Sequence, residues 1–593
     1  MKKLLVLIFA LTLAINLFCF GPLTASAATY NGFTYEIVDG SAIITDYDNL
    51  SNFVVIPSTI DGYSVTAIGD GAFSDCDFMF TMTIPDSVTT IGDSAFSRCY
   101  KLTSVILPNS ITTIGSNMFY YCMKLPSITI PDSVTTIGDS AFYGCSSLTT
   151  MNIPDGVTAI GDSAFYGCSS LTAINIPDGV TAIGASAFRN CSSLTSVNIP
   201  DGVTTIGESA FYGCSALTVA NIPNSVTTIG DSAFYGCSSL TAINIPDGVT
   251  TIGASAFRSC ESLTVAIIPD GVTAIDRDAF SFCTSMTEVT IPEGVTSIGK
   301  SAFYGCSSLT AMNIPDGVTS IGYAAFNRCS SLSEVNIPNS VTAIGSYAFS
   351  SCTSLTAINV AANNPMYTSV DGVLFTKDKT TLIQYPAQKA GDYAIAEGVT
   401  TIGQSAFYSC SKLTAVTIPD TVTSIGALAF HGCSALTAIN IPDSVTTIGE
   451  WAFSLCSSLA EVNMPNGVTS ISEYAFAGCS SLTEMTIPDS VTYIGKEAFL
   501  KCSSLTAVNI PADVTRIGEA AFSGCESLSN VYYPGSKADW DKMKIGEDNN
   551  ELTQAARKYG VNDMPAIGPV LTAVVVVVAA AITAIIIVVK KRK

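Results

Sequence analysis

The sequence predicts a solenoid, a stack of short repeating coils, and three observations lead there. A 23-residue unit recurs along most of the 593-residue chain. Thirteen cysteines keep that step from Cys76 to Cys352, and six more keep it from Cys410 to Cys525. The apolar positions inside the unit recur on the same schedule, as in Leu171, Ile174, Ile176, Val180, Ile183, Phe188, Cys191 and Leu194. A fixed period of this size means that one unit cannot bury its own apolar face and needs neighbours on both sides.

Each part of the unit has a local reason. The alternation ending in Ile174 and Ile176, with Ala173 and Asn175 outward, reads as a short strand. Pro177 has no amide to donate and ends it. Asp178-Gly179 turns the chain, Val180 to Ile183 is a second extended piece, and Gly184 breaks it. Phe188, Cys191 and Leu194 are three apart, which fits one tight turn of 3₁₀ type. The pattern has the L-x-x-L-x-L form of a leucine-rich repeat. The expected fold is therefore a leucine-rich-repeat solenoid with a parallel β-sheet on its concave face and short 3₁₀ or helical turns on its convex face.

The ends read differently. Lys2 and Lys3, the apolar stretch Leu4 to Phe20 and Ala25-Ser26-Ala27 make residues 1–27 a secretory signal peptide. Val570 to Val589 carries no charge and is followed by Lys590-Lys591-Arg592-Lys593. This reads as a single C-terminal transmembrane helix, 566–589, with a cytoplasmic tail, 590–593, and the N-terminus outside. Met564-Pro565-Ala566-Ile567-Gly568 resembles a sortase cell-wall signal, but Ile567 stands in place of its Thr, so a retained helix is preferred. The remaining parts are an N-terminal cap (28–64), a first repeat array (65–360), a β-hairpin insertion (361–396), a second array (397–531), and a C-terminal cap and stalk (532–565). The hairpin is expected from Val373–Thr376 and Thr380–Tyr385 about Lys377-Asp378-Lys379, either continuing the sheet or projecting as a partner-binding finger.

Composition limits the function. The two ends hold six of the 26 basic residues, leaving 20 against 48 acidic ones, a net of −28 outside the membrane. Such a surface argues against nucleic acid and anionic lipid and suits a basic partner. His431 is the single histidine and replaces a Tyr of the repeat, so a Ser-His-Asp or Cys-His apparatus has no base to draw on. The Gly-Asp-Ser triplets, such as Gly161-Asp162-Ser163, recur and read as turns, since a catalytic site is unique. The acidic row Asp132, Asp155, Asp178, Asp201 offers one carboxylate per level, which suits turn chemistry better than Ca²⁺. No catalytic, cofactor or metal residue is assigned, and no enzyme activity is expected.

Cys145, Cys168, Cys191, Cys214 and Cys237 represent a structural ladder of buried free thiols. Stacked repeats point their thiols the same way, which fits disulfide geometry poorly. The outward strand positions are mostly Ala, Ser, Thr and Asn, without Trp, Tyr or Arg anchors. Tyrosines follow the buried Phe instead. Tyr143, Tyr166, Tyr212, Tyr235, Tyr304 and Tyr408 are candidate partner-binding residues, or else padding for the next unit.

The recurring Ile-Pro-Asp-x-Val-Thr-x-Ile-Gly-x-x-Ala-Phe-x-x-Cys-x-x-Leu, over roughly residues 55–531, resembles the repeats of BspA-type bacterial surface antigens. Tyr35 to Ser64 and Val531 to Val561 resemble the caps of such arrays. The resemblance implies a cell-surface adhesion protein whose partners are host extracellular matrix or plasma proteins, or other microbial cells. A structural surface-layer or spacer protein without a specific ligand is the alternative.

Overall fold

A computed structural model describes residues 27–48 and 51–561. The expected signal segment, apart from Ala27, and the expected span and tail lie outside these residues. Among the described residues no helix is long and apolar enough to cross a membrane. The chain forms a β-solenoid of stacked parallel strands, divided into two compact units that meet in sequence between Asp378 and Lys379, inside the 361–396 insertion.

Each repeat contributes two strands to two parallel ladders. Ala173–Asn175 pairs in register with Thr150–Asn152, and Ala182–Ile183 pairs with Thr205–Ile206. Between them Val180 donates to the Pro177 carbonyl at 3.0 Å, closing the turn that Asp178-Gly179 predicts. Inward residues fill the coil, and Val180, Phe188, Cys191 and Leu194 are fully buried. The phenylalanines stack from unit to unit, with Phe165 and Phe188 at 5.3 Å between ring centroids and 1° apart in plane.

The stretch after the second strand departs from expectation. Cys191 donates to the Phe188 carbonyl at 3.1 Å and Leu194 to the Cys191 carbonyl at 3.0 Å, the i to i−3 bonds of a 3₁₀ turn. Yet Ser186 and Asn190 lie at φ 56° and 59°, which no right-handed helix allows. The positive φ turns alternate amides outward. Ser186, Phe188 and Asn190 donate to Glu208, Ala210 and Tyr212 of the next unit at 2.7, 2.8 and 2.6 Å. The expected 3₁₀ turn is thus a run of tight turns that forms a third inter-repeat ladder. Every second amide goes to a neighbour, so those from Ser186 to Cys191 are all satisfied without a helix.

Both ends are closed. Phe33–Val38 and Ser41–Tyr47 form an antiparallel hairpin about Asp39-Gly40, whose φ values of 48° and 78° are those of a type I′ turn. Ser41–Tyr47 then pairs with Tyr63–Ile68 and starts the second ladder, while Tyr47 lies 5.3 Å from Phe73 and starts the aromatic column. At the other end Lys544–Ile545 and Ala556–Tyr559 terminate the two ladders. The buried side chain of Asn549 accepts from the Phe522 amide at 3.0 Å and donates to the Gly518 carbonyl at 2.9 Å.

Both expected strands of the insertion are present, Val373–Thr376 and Thr381–Gln384, and an unexpected one precedes them. Tyr367–Val370 pairs antiparallel with Val373–Thr376 about Asp371-Gly372, at φ 51° and 78°, a type I′ hairpin. On its far edge Thr381–Gln384 runs parallel to Thr401–Ile402. Gly391–Ala394 pairs with Leu413–Thr417, keeping Tyr393 opposite Val416 at the 23-residue step.

Candidate functional site

The tyrosines sit on the turn stretch, one position after the buried Phe, and are half-buried. Because the units repeat by translation, their rings meet face to face. Tyr143 stacks on Tyr166 at 4.4 Å and Tyr212 on Tyr235 at 4.6 Å. Arg189 occupies the tyrosine position between those pairs, its guanidinium 4.1 Å from the Tyr212 ring centre and 5.7 Å from that of Tyr166. Arg258 continues the row, 5.7 Å from Tyr235, and pairs with Asp278 at 3.0 Å. Tyr304 meets Phe282 edge-on at 5.1 Å, and Tyr408 stacks on His431 at 4.9 Å. The ring faces are spent on neighbours, leaving edges and hydroxyls outward. Burial, and then the Tyr166 ring, push the Tyr143 phenol up to about 12. Burial lowers the His431 pKa, favouring neutral imidazole.

The cysteines occupy a different column. All nineteen outside the signal segment are buried and unbridged. Each thiol in the regular stretch donates to a phenylalanine carbonyl of the unit before, Cys168 to Phe142 and Cys191 to Phe165 at 3.2 Å. Burial raises the pKa to about 12 for Cys145 and Cys214 and well above the usual range for Cys168, Cys191 and Cys237.

The Gly-Asp-Ser aspartates act on the backbone. Asp139 accepts from the Asp162 amide at 2.8 Å, and Asp162 from the Ala185 amide at 2.7 Å. They tie one turn to the next. Among the described residues no group of three His, Cys, Asp or Glu is placed to hold a metal ion.

The outward face of the first ladder is less uniform than the Ala and Asn rows suggest. Phe53 and Val55, in the strand Phe53–Val55, are 70% and 67% exposed, and Ile106 is exposed two strands away in the same sheet, across Thr83. Further along, Ile267 is 63% exposed, at a position filled by Asn in the units of Asn152, Asn175, Asn198 and Asn221. Reading the rows as averages hid these residues. Comparing each unit with its neighbours, position by position, would have found them.

The repeat decides the relationship. Residues 47–172, 158–287, 273–397 and 400–529 match the BspA type leucine rich repeat region. The chain belongs to that family. Among solved structures it is similar to a leucine rich cell surface protein of Faecalibacterium prausnitzii, at 26% identity over 88% of this chain and 99% of that one, with a TM-score of 0.36. It is similar to a leucine-rich repeat protein of Bacteroides ovatus, at 23% identity over 90% and 99%, with a TM-score of 0.34. The pneumococcal vaccine antigen PcpA matches at 16% identity over 91% and 99%, with a TM-score of 0.28. No curated protein matches the chain. Membership in the family rests on the repeat.

Proposed function

We propose that this BspA-type chain is a cell-surface recognition protein that binds protein partners, attaching its cell to host matrix or plasma proteins or to other microbial cells. One observation carries the reading. A ladder whose outward positions are mostly Asn, Thr, Ser, Ala and Glu presents large apolar side chains to water at Phe53, Val55, Ile106 and Ile267. These residues contribute nothing to the core, and grouped apolar exposure on a soluble surface marks contact sites. Residues 1–27 and 566–589 would deliver and tether the chain. The tyrosine row remains a second candidate surface, contributing hydroxyls and ring edges. The test is attachment of cells displaying the full chain to immobilised matrix and plasma proteins. Attachment above that of cells lacking the chain supports recognition, whereas equal attachment favours a spacer.

A further inference from the structure

We infer that the outward face of the first ladder around Ile267 is a docking surface for a cationic protein segment that carries an apolar anchor; this rests on the recognition reading above. Val265 and Ile267 lie in one strand, Val265–Ile267, both exposed, and Val265 stands directly opposite Glu288 in the next strand. Glu334 occupies the same row two units on, at roughly 10 Å from Glu288 by strand spacing. Asp270 and Glu293 follow at the exposed turns ending their strands. Glu288, Asp270 and Glu293 have no ion pair among the described residues, and Glu334 accepts from the Asn359 side chain.

The opposite charge is kept away from this face. Between Pro126 and Thr376 the chain has five basic residues, Arg189, Arg258, Arg277, Lys300 and Arg328, and all five lie on the turn stretch. There Arg189, Arg258, Lys300 and Arg328 lie over aromatic rings. The strand face is therefore an apolar centre of Val265 and Ile267 edged by unneutralised carboxylates. Carboxylates around an apolar patch repel acidic partners and reward a Lys- or Arg-bearing one, while the patch supplies the area that ions alone do not. The chain's own acidity makes a second copy a poor occupant.

The repeat supplies its own controls, because Asn at position 267 and Ala at positions 288 and 334 are the residues other units use there. Full-length chain in lipid nanodiscs is titrated with synthetic peptides in which Lys or Arg flanks a Leu or Phe pair. Control peptides carry Glu for the basic residues or Ser for the apolar pair. The cationic, anchored peptides bind, and both controls lose binding. Ile267→Asn weakens binding about tenfold. The double variant Glu288→Ala, Glu334→Ala weakens it by a similar factor and removes most of its salt dependence. Equal binding of acidic and cationic peptides, no binding by any peptide, or parental affinity in these variants would overturn the assignment. Attachment of the parent to matrix proteins that persists when Ile267→Asn, Glu288→Ala and Glu334→Ala are combined overturns this surface and leaves recognition standing. A parent that attaches to nothing fails the recognition reading itself.

Discussion

From Thr113–Ile114 to Thr251–Ile252 the second ladder is one unbroken seven-stranded parallel sheet; at the next unit, Ala274–Ile275, it opens. Within the closed run a glycine follows every strand, and its amide donates to the Ile of the unit before, Gly207 to Ile183 at 3.1 Å and Gly253 to Ile229 at 2.9 Å. The backbones pass so closely that a Cβ on Gly184 would sit 2.7 Å from the Gly161 carbonyl group. Asp276 occupies the glycine position of the next unit, and among the described residues its amide makes no such bond. Ser472 repeats the pattern in the other compact unit. There the ladder ends at Thr447–Ile448, and the Ser472 hydroxyl donates to the Ile448 carbonyl at 2.5 Å in place of the amide.

The other two elements ignore the seam. Phe257 and Phe280 stack across it at 5.3 Å, and Ser255, Phe257 and Ser259 still donate to Arg277, Ala279 and Ser281 at 2.9, 2.8 and 2.7 Å. The ladders are thus separable. A missing side chain lets the second one close, and the aromatic column with its turn bonds holds the stack when it does not. Glycine is required but not sufficient, because the break between Thr90–Ile91 and Thr113–Ile114 has glycine on both sides.

The largest test of this comparison is alkaline. Burial raises the thiols of Cys145 and Cys214 to about 12, against an ordinary value of 9.0. A raised folded pKa gives stability that is full below pH 9 and is lost as pH rises toward 12, because only the unfolded chain releases its protons. Each such thiol contributes a loss of about 1.4 kcal/mol per pH unit in that window. Thermal unfolding should fall steeply above pH 9. If the seam opens the core, Cys260 and Cys283 will react with a thiol reagent before Cys191 and Cys214. Equal rates would mean that the turn ladder and the phenylalanines seal it.

Phe188→Ala, inside the closed run, should cost about 3–5 kcal/mol. Phe257→Ala, beside the seam, should cost a similar amount and also split denaturant unfolding into two transitions, because no second ladder remains to couple the halves. A single transition in both would show that the seam is as cooperative as the run.

Gly184→Ala should cost about 1–3 kcal/mol, since the new methyl has to push the strands apart. Hydrogen exchange should accelerate at the amides of residues 184 and 207, which would then behave like residue 276. Asp276→Gly makes the converse change and is the smallest effect. Regained hydrogen bonds offset the entropy of the added glycine, so stability should change by no more than about 1 kcal/mol. Exchange at residue 276 should nonetheless slow toward that at residue 253. Unchanged exchange would show that the seam has a cause other than the side chain.

Much of this was legible in the residues. The 23-residue period, the buried column of Phe188, Cys191 and Leu194 and the turn at Asp178-Gly179 follow from apolar spacing and turn chemistry, which act within one unit. The strands Val373–Thr376 and Thr381–Gln384 were also legible as apolar runs, but local pattern did not say that Tyr367–Val370 joins the first or that Thr401–Ile402 runs beside the second. The rest depends on the translation between units. Only the stacking of units brings the Ser186 amide to Glu208, the Asp162 carboxylate to Ala185, or the Tyr166 ring onto Tyr143. A sequence states what each coil must bury. How closely two coils approach is set by the atoms between them, and that distance decided which amides are shared, which rings are covered, and where an exposed Ile267 stands among asparagines.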